Sequence, residues 1–167
     1  LERFNMVDCR SAQTPLPSGA VFTINDCPQT EEEKEEMREY PYMSLVGSLM
    51  YAAIMTRPDI MFAVSFLSRV MSNPGMAHWK LGKHVLRYLA THPNIPIKYQ
   101  RTDNMFKLTG YVDADFAGDI DTRKSTTGYL FMINGAALSW RTKRQTTVAR
   151  STCIAELIAL DAATCEA

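Results

Sequence analysis

The chain has 167 residues, 46% of them hydrophobic, and its 18 Lys and Arg balance 18 Asp and Glu. That length fits one ordinary domain, or a small domain with a further segment, and the apolar share is enough for a sizeable core. Zero net charge excludes a nucleic-acid argument from total charge, so only the local distribution of charge is informative. The four cysteines, Cys9, Cys27, Cys153 and Cys165, show no C-x-x-C spacing and no His partners at zinc-finger distances. They read as reduced thiols of an intracellular, reducing compartment. No apolar run reaches the ~18 residues of a membrane span, and no signal peptide is visible. With no initiator Met and a last residue inside a helical pattern, the chain reads as a piece of a longer polypeptide.

Residues 1–41 open with Pro15, Pro17, Gly19 and Pro28 among polar residues, which reads as a linker or extended arm. Thr30 followed by Glu33 fits a capping box, and Pro41 limits the helix it starts. Residues 42–96 read as a helical region. Leu45, Val46, Leu49, Met50, Ala53 and Ile54 recur at helical spacing. Pro58 suits the first turn of a second helix, whose residues are apolar nearly all round. Pro74 can open a third, with Trp79, Val85, Leu86 and Leu89 on one side. On its other side stand Lys80, Lys83, His84 and Arg87, either a solvated basic face or a stripe facing phosphates.

Residues 97–167 change to a period of two. A short strand is expected from Ile97 through Tyr99 to Gln100. A second is expected over 107–116, with Val112 and Ala114 on one face and Asp113 and Asp115 on the other. Residues 118–127 look like a turn, 128–133 a third strand, Asn134-Gly135 a hairpin turn, and 136–140 the start of a fourth strand. Ser151 or Thr152 can cap a last helix with Ile154, Leu157, Ile158, Leu160 and Ala163 at apolar positions. The fold class is α+β.

Asp113 and Asp115 are roughly 6–7 Å apart along a strand. Magnesium takes oxygen ligands, with water and phosphate completing its shell. A pair of such ions about 3.5–4 Å apart can drive phosphodiester hydrolysis. A strand Asp and the helix residue Glu156 could form half of such a site. Equally, Asp113, Asp115 and Asp119 could be solvated turn caps, and Glu156 a surface acid.

The words LTGYVDADFAGD, STTGYLFMINGAALSW, KRQTTVARST and the AEL around Glu156 resemble the ribonuclease H region of copia-type retrotransposon Pol polyproteins. The upstream YMSLVGSLMYAAIMTRPDIMFAVSFLSRVMSNPGMAHWKLGKHVLRYL resembles the segment joining reverse transcriptase to ribonuclease H there, and FNMVDCRSAQTPLP the tail of the polymerase part. The resemblance implies a helical connection region followed by a truncated ribonuclease H-like fold. It implies Asp113 and Glu156 as catalytic metal ligands, Asp115 as an accessory, and two Mg2+ (or Mn2+) ions in the complete domain. It further implies an RNA–DNA hybrid as substrate, the reverse transcriptase part of the same polyprotein as partner, and a cytoplasmic particle or the nucleus as location. Arg141, Lys143, Arg144 and Gln145, following Trp140, are candidate contacts to the hybrid's backbone; a solvated basic loop is the other reading. The family's remaining catalytic acids lie on later elements, so weak metal binding and little or no cleavage are expected of this piece alone. A non-catalytic remnant that binds nucleic acid or packs against a polymerase is the rival. Phe116 where the family has Trp, Leu157 where it has an aromatic, and Cys153-Ile154 are departures from the pattern.

Overall fold

The computed structural model describes residues 1–101 and 107–167. The chain divides into two compact units, Leu1–Ile95 and Pro96–Ala167.

In the first unit, Thr30 caps α1 (Glu31–Arg38) and Glu33 returns the bond, completing the expected box. Helix α2 (Tyr42–Met55) follows Pro41. Pro58 opens a single 3-10 turn, Pro58–Ile60, before α3 (Met61–Ser68). Helix α4 (Met76–Thr91) starts after Gly75, two residues later than a start at Pro74 would give. Gly75 is needed there: a Cβ would lie 2.2 Å from the carbonyl oxygen of Asp26. Its N–H donates to His78 Nδ1 at 2.8 Å, which satisfies one orphan donor of the helix start.

The core is built from Tyr42, Leu45, Val46 and Leu49 of α2, Val64 and Leu67 of α3, and Trp79, Val85 and Leu86 of α4. Tyr42 Oη donates to the Leu67 carbonyl at 2.9 Å. Gly82 lets α4 approach α2, because a Cβ there would meet Leu45 Cδ2 at 2.8 Å. The N-terminal stretch is an anchored arm, not a free linker. Met6 and Ala12 are buried in this core, and the Ala12 N–H donates to Thr91 Oγ1 at 3.0 Å.

In the second unit, three strands form an antiparallel sheet in the order β1-β2-β3: β1 (Leu108–Asp115), β2 (Thr126–Ile133) and β3 (Ala136–Arg144). Asn134 and Gly135 turn the β2–β3 hairpin, both at positive φ, as a two-residue I′ turn requires. Among the described residues, the strand expected around Ile97–Gln100 does not form. That segment makes single contacts instead, Gln100 N–H to the Asn134 carbonyl and Tyr99 Oη to the Ala137 carbonyl. β3 runs on to Arg144, so the basic segment is strand and not loop.

Helix α5 (Thr152–Thr164), capped by Ser151, packs on β1 and β2. Its inward stripe is Ala155, Ala159 and Ala163, while Ile154, Leu157 and Leu160 are exposed. The apolar spacing alone points to the large residues as the inner face. The sheet decides otherwise, because Tyr129 and Phe131 fill the space beneath Ala163 and leave room only for small side chains.

Candidate functional site

The sheet register sorts the candidate residues. Val112 and Ala114 face α5: Ala114, Ala149, Ala155 and Ala159 form one buried cluster with Val112 against it. By strand alternation Asp113 and Asp115 occupy the other face, and both are exposed. Glu156 follows Ala155 on α5 and is exposed. Asp113 and Glu156 are thus each the chain neighbour of a member of the same alanine cluster, and the cluster brings their two elements together. It does not make a metal cage. Among the described residues no three His, Cys, Asp or Glu side chains converge as metal ligands. Asp113, Asp115 and Glu156 as they stand do not fit a pair of divalent ions.

Asp115 ends β1, and Asp119 belongs to the turn after it. The Asp115 carboxylate occupies the space beside Gly118, where a Cβ would lie 1.8 Å from Oδ2. Asp119 is buried and organises that turn. Its Oδ1 accepts from the Thr122 N–H at 2.8 Å and from Thr122 Oγ1 at 2.7 Å. Its Oδ2 accepts from Arg144 Nη1 at 2.6 Å, and its N–H donates to the Lys124 carbonyl. Burial would raise the carboxyl's pKa; the Arg144 and Thr122 hydrogen bonds outweigh that and hold it at about 2.

The four basic-segment candidates do not share a surface. Arg141 pairs with Tyr129 and Lys143 with Thr127, so these two side chains leave the sheet on the α5 side, both exposed. Arg144 pairs with Thr126 on the opposite face and is committed to Asp119. Gln145 is buried. Its Nε2 donates to Thr127 Oγ1 at 3.1 Å and to the Ala155 carbonyl at 2.9 Å, tying the end of β3 to β2 and α5. Its Oε1 is buried without a partner among the described residues. Gln145 is therefore a strut and not a surface contact. The reason is local: the chain turns inward after Arg144, where the Gln145 N–H meets the Ser125 carbonyl at 2.8 Å. Sequence reading also misses Ser125, fully buried with Oγ accepting the Ala117 N–H at 3.1 Å. No periodicity marks such a residue, because its partner lies across the turn.

The chain is 50% identical over 95% of its length to the Retrovirus-related Pol polyprotein from transposon TNT 1-94 of Nicotiana tabacum. This likeness supports a segment of a retrovirus-related transposon Pol polyprotein. The chain spans 12% of that tobacco protein and 10% of the related Pol polyprotein from transposon RE2 of Arabidopsis thaliana, to which it is 38% identical over 93% of its own length. A shorter relative is the Secreted RxLR effector protein 161 of Plasmopara viticola, 47% identical over 78% of this chain and 92% of that protein. No family model and no solved structure matches the chain. Among the described residues of this Pol segment, no helix is long and apolar enough to cross a membrane.

Proposed function

We propose that this Pol segment is the connection region and the opening part of the ribonuclease H domain of a copia-type polyprotein, lying next to its reverse transcriptase part. In the parent, Asp113 and Glu156 contribute to a Mg2+ or Mn2+ site for hydrolysing the RNA strand of an RNA–DNA hybrid, with Asp115 as an accessory. The parent works in a cytoplasmic particle or the nucleus. What supports this reading is one observation: a β-β-β-α unit whose buried alanine cluster joins the strand bearing Asp113 to the helix bearing Glu156. Arg141 and Lys143, exposed together on one side of β3, are the remaining candidates for the hybrid's backbone; Arg144 and Gln145 hold the fold. The described residues do not complete a metal cage, so cleavage is assigned to a longer polyprotein and not to this segment by itself.

The second reading is a non-catalytic protein, and the length of its relatives favours it. The Plasmopara protein corresponds to this segment over 92% of its own length. The uncharacterized mitochondrial protein AtMg00810 does so over 63%. A hybrid-cleavage assay in magnesium separates the two. The segment alone is expected to leave the RNA intact. A polyprotein piece extended downstream is expected to cut it, with Asp113→Asn and Glu156→Gln each reducing cleavage to background. An inactive extended piece supports the second reading. An extended piece whose activity survives Glu156→Gln removes that residue from the site.

A further inference from the structure

Helix α4 begins beside a histidine that is wholly removed from water. His78 is 0% exposed. Its Nδ1 accepts the Gly75 N–H at 2.8 Å, and its Nε2 is buried without a partner among the described residues. A backbone N–H can only donate, so this bond exists only while Nδ1 carries no proton. The ring is therefore neutral, with its hydrogen on Nε2. Residues 22–28 close over the same end of α4. The Phe22 ring stands at 86° to the imidazole with centroids 4.6 Å apart, and its centroid lies 4.1 Å from that of Phe66 on α3. The Asp26 carbonyl fills the space where a Gly75 side chain would be. The Pro28 carbonyl accepts from Asn73 Nδ2 at 3.3 Å. Thr23 and Asp26 cap each other across the 3-10 turn Ile24–Asp26, which gives the segment bonds of its own.

We propose that His78 is an acid-released latch: it holds residues 22–28 on the start of α4 while the imidazole is neutral, and lets them go when Nδ1 takes a proton from solvent. Protonation turns the acceptor into a donor that faces the Gly75 N–H, and the bond is lost. It also places a positive charge at the N-terminal end of α4, where the helix dipole disfavours one. Nε2 has no partner either, so a charged ring would bury two N–H groups without an acceptor. Residues 22–28 must part from α4 for the ring to reach water. Their release uncovers Phe66 and the first turn of the helix.

The charges near the ring do not cancel its burial. Asp26, on the 3-10 turn, favours the charged form. From α1, Glu33 and Glu36 line a cavity of about 240 Å³ together with Gly75, Met76 and Ala77. From α3, the Arg69 guanidinium lies 5.2 Å from the centre of the Phe66 ring and opposes a second positive charge. Helix α4 itself holds no Asp, Glu, Lys or Arg before Lys80. Burial is the largest influence and lowers the His78 pKa from its ordinary 6.5, against the pull of Asp26. A group whose folded pKa is lowered contributes its full stability above the unfolded value and loses it as pH falls. The latch is accordingly closed at pH 7.5 and loosens below 6.5. It does not depend on the roles of Asp113 and Glu156.

The test follows amide exchange in the full chain at pH 7.5 and 5.5, with rates corrected for their intrinsic pH dependence. The released ring takes up its proton at the ordinary value, while the held ring stays neutral. Opening at residues 22–28 and 75–79 should therefore rise about tenfold between the two pH values. Protection at Leu45 and Leu49 of α2 should not change. His78→Gln keeps an acceptor for the Gly75 N–H but takes no charge, so its protection at residues 22–28 should be the same at both pH values. His84→Gln and His92→Gln should respond to acid as the wild type does. Because His78→Gln alters a buried position, the wild-type ring is also followed directly by nitrogen chemical shifts. These should show Nδ1 unprotonated at pH 7.5, and the Phe22 ring signals should move with the midpoint of the His78 titration. The latch is overturned by wild-type protection that does not change with pH, by an acid response that survives His78→Gln, or by an Nδ1 already protonated at pH 7.5.

Discussion

Asp59→Ala is expected to lower the stability of the first unit by about 3 kcal/mol, the usual cost of leaving one member of a buried ion pair alone. Arg57 is 8% exposed and forks onto Asp59, with Nε at 3.0 Å from Oδ1 and Nη2 at 2.8 Å from Oδ2. Tyr88 Oη, from α4, donates to the same Oδ2 at 2.9 Å, and the guanidinium lies 5.7 Å from the centre of the Tyr88 ring. One carboxylate therefore joins the turn after α2 to the last third of α4. Removing it strands a buried guanidinium and a buried hydroxyl together, which costs more than the bonds themselves contributed. Burial would raise the Asp59 pKa, but the bonds from Arg57 and Tyr88 lower it overall. The pair is thus ionised at neutral pH. Urea unfolding followed by amide exchange in α2 and α4 measures the loss. Arg57→Met/Asp59→Leu, which removes both charges and keeps the volume apolar, should recover part of it; a double variant as unstable as Asp59→Ala would refute the stranded-charge explanation.

The second large effect is a pH dependence in the other unit. The Asp119 carboxyl stands at about 2 when folded, against an ordinary value of 3.8. A group whose folded pKa is lowered contributes its full stability above the unfolded value and loses it as pH falls through the folded one. At ~1.4 kcal/mol per pKa unit, this amounts to about 2–3 kcal/mol, present above pH ~4 and lost towards pH ~2. Asp119→Asn should remove a similar amount at pH 7 and flatten the acid limb of the stability profile. The readout is urea unfolding of the sheet residues at pH 7, 4 and 2.5. An acid limb as steep in Asp119→Asn as in the wild-type chain would show that other carboxyls carry it.

Much of the fold is legible in the sequence because its signals are local. The Thr30–Glu33 box, the helical spacing of Leu45, Val46 and Leu49, and the Asn134-Gly135 turn each depend on residues a few positions apart. What is not legible depends on partners far along the chain. The inner stripe of α5 is alanine because Tyr129 and Phe131 already occupy the interface from the sheet side. Gln145 reads as a polar residue in a basic segment, yet its amide bridges Thr127 and Ala155. Arg141 to Arg144 read as one basic cluster. A strand sends alternate side chains to opposite faces, and β3 continues through all four positions. The same alternation puts Asp113 and Asp115 together on the face away from α5. Their relation to Glu156 depends on how the helix packs, which no local pattern encodes.

Asp113 and Glu156 are proposed to serve one metal site in a longer Pol polyprotein. This is tested most directly by paramagnetic broadening of amide signals with substoichiometric Mn2+. In a polyprotein piece extended downstream, Asp113 and Glu156 are predicted to broaden together, and Asp113→Asn is predicted to remove the effect at Glu156. Broadening at one of the two without the other, or broadening at Glu156 that survives Asp113→Asn, would contradict a shared site.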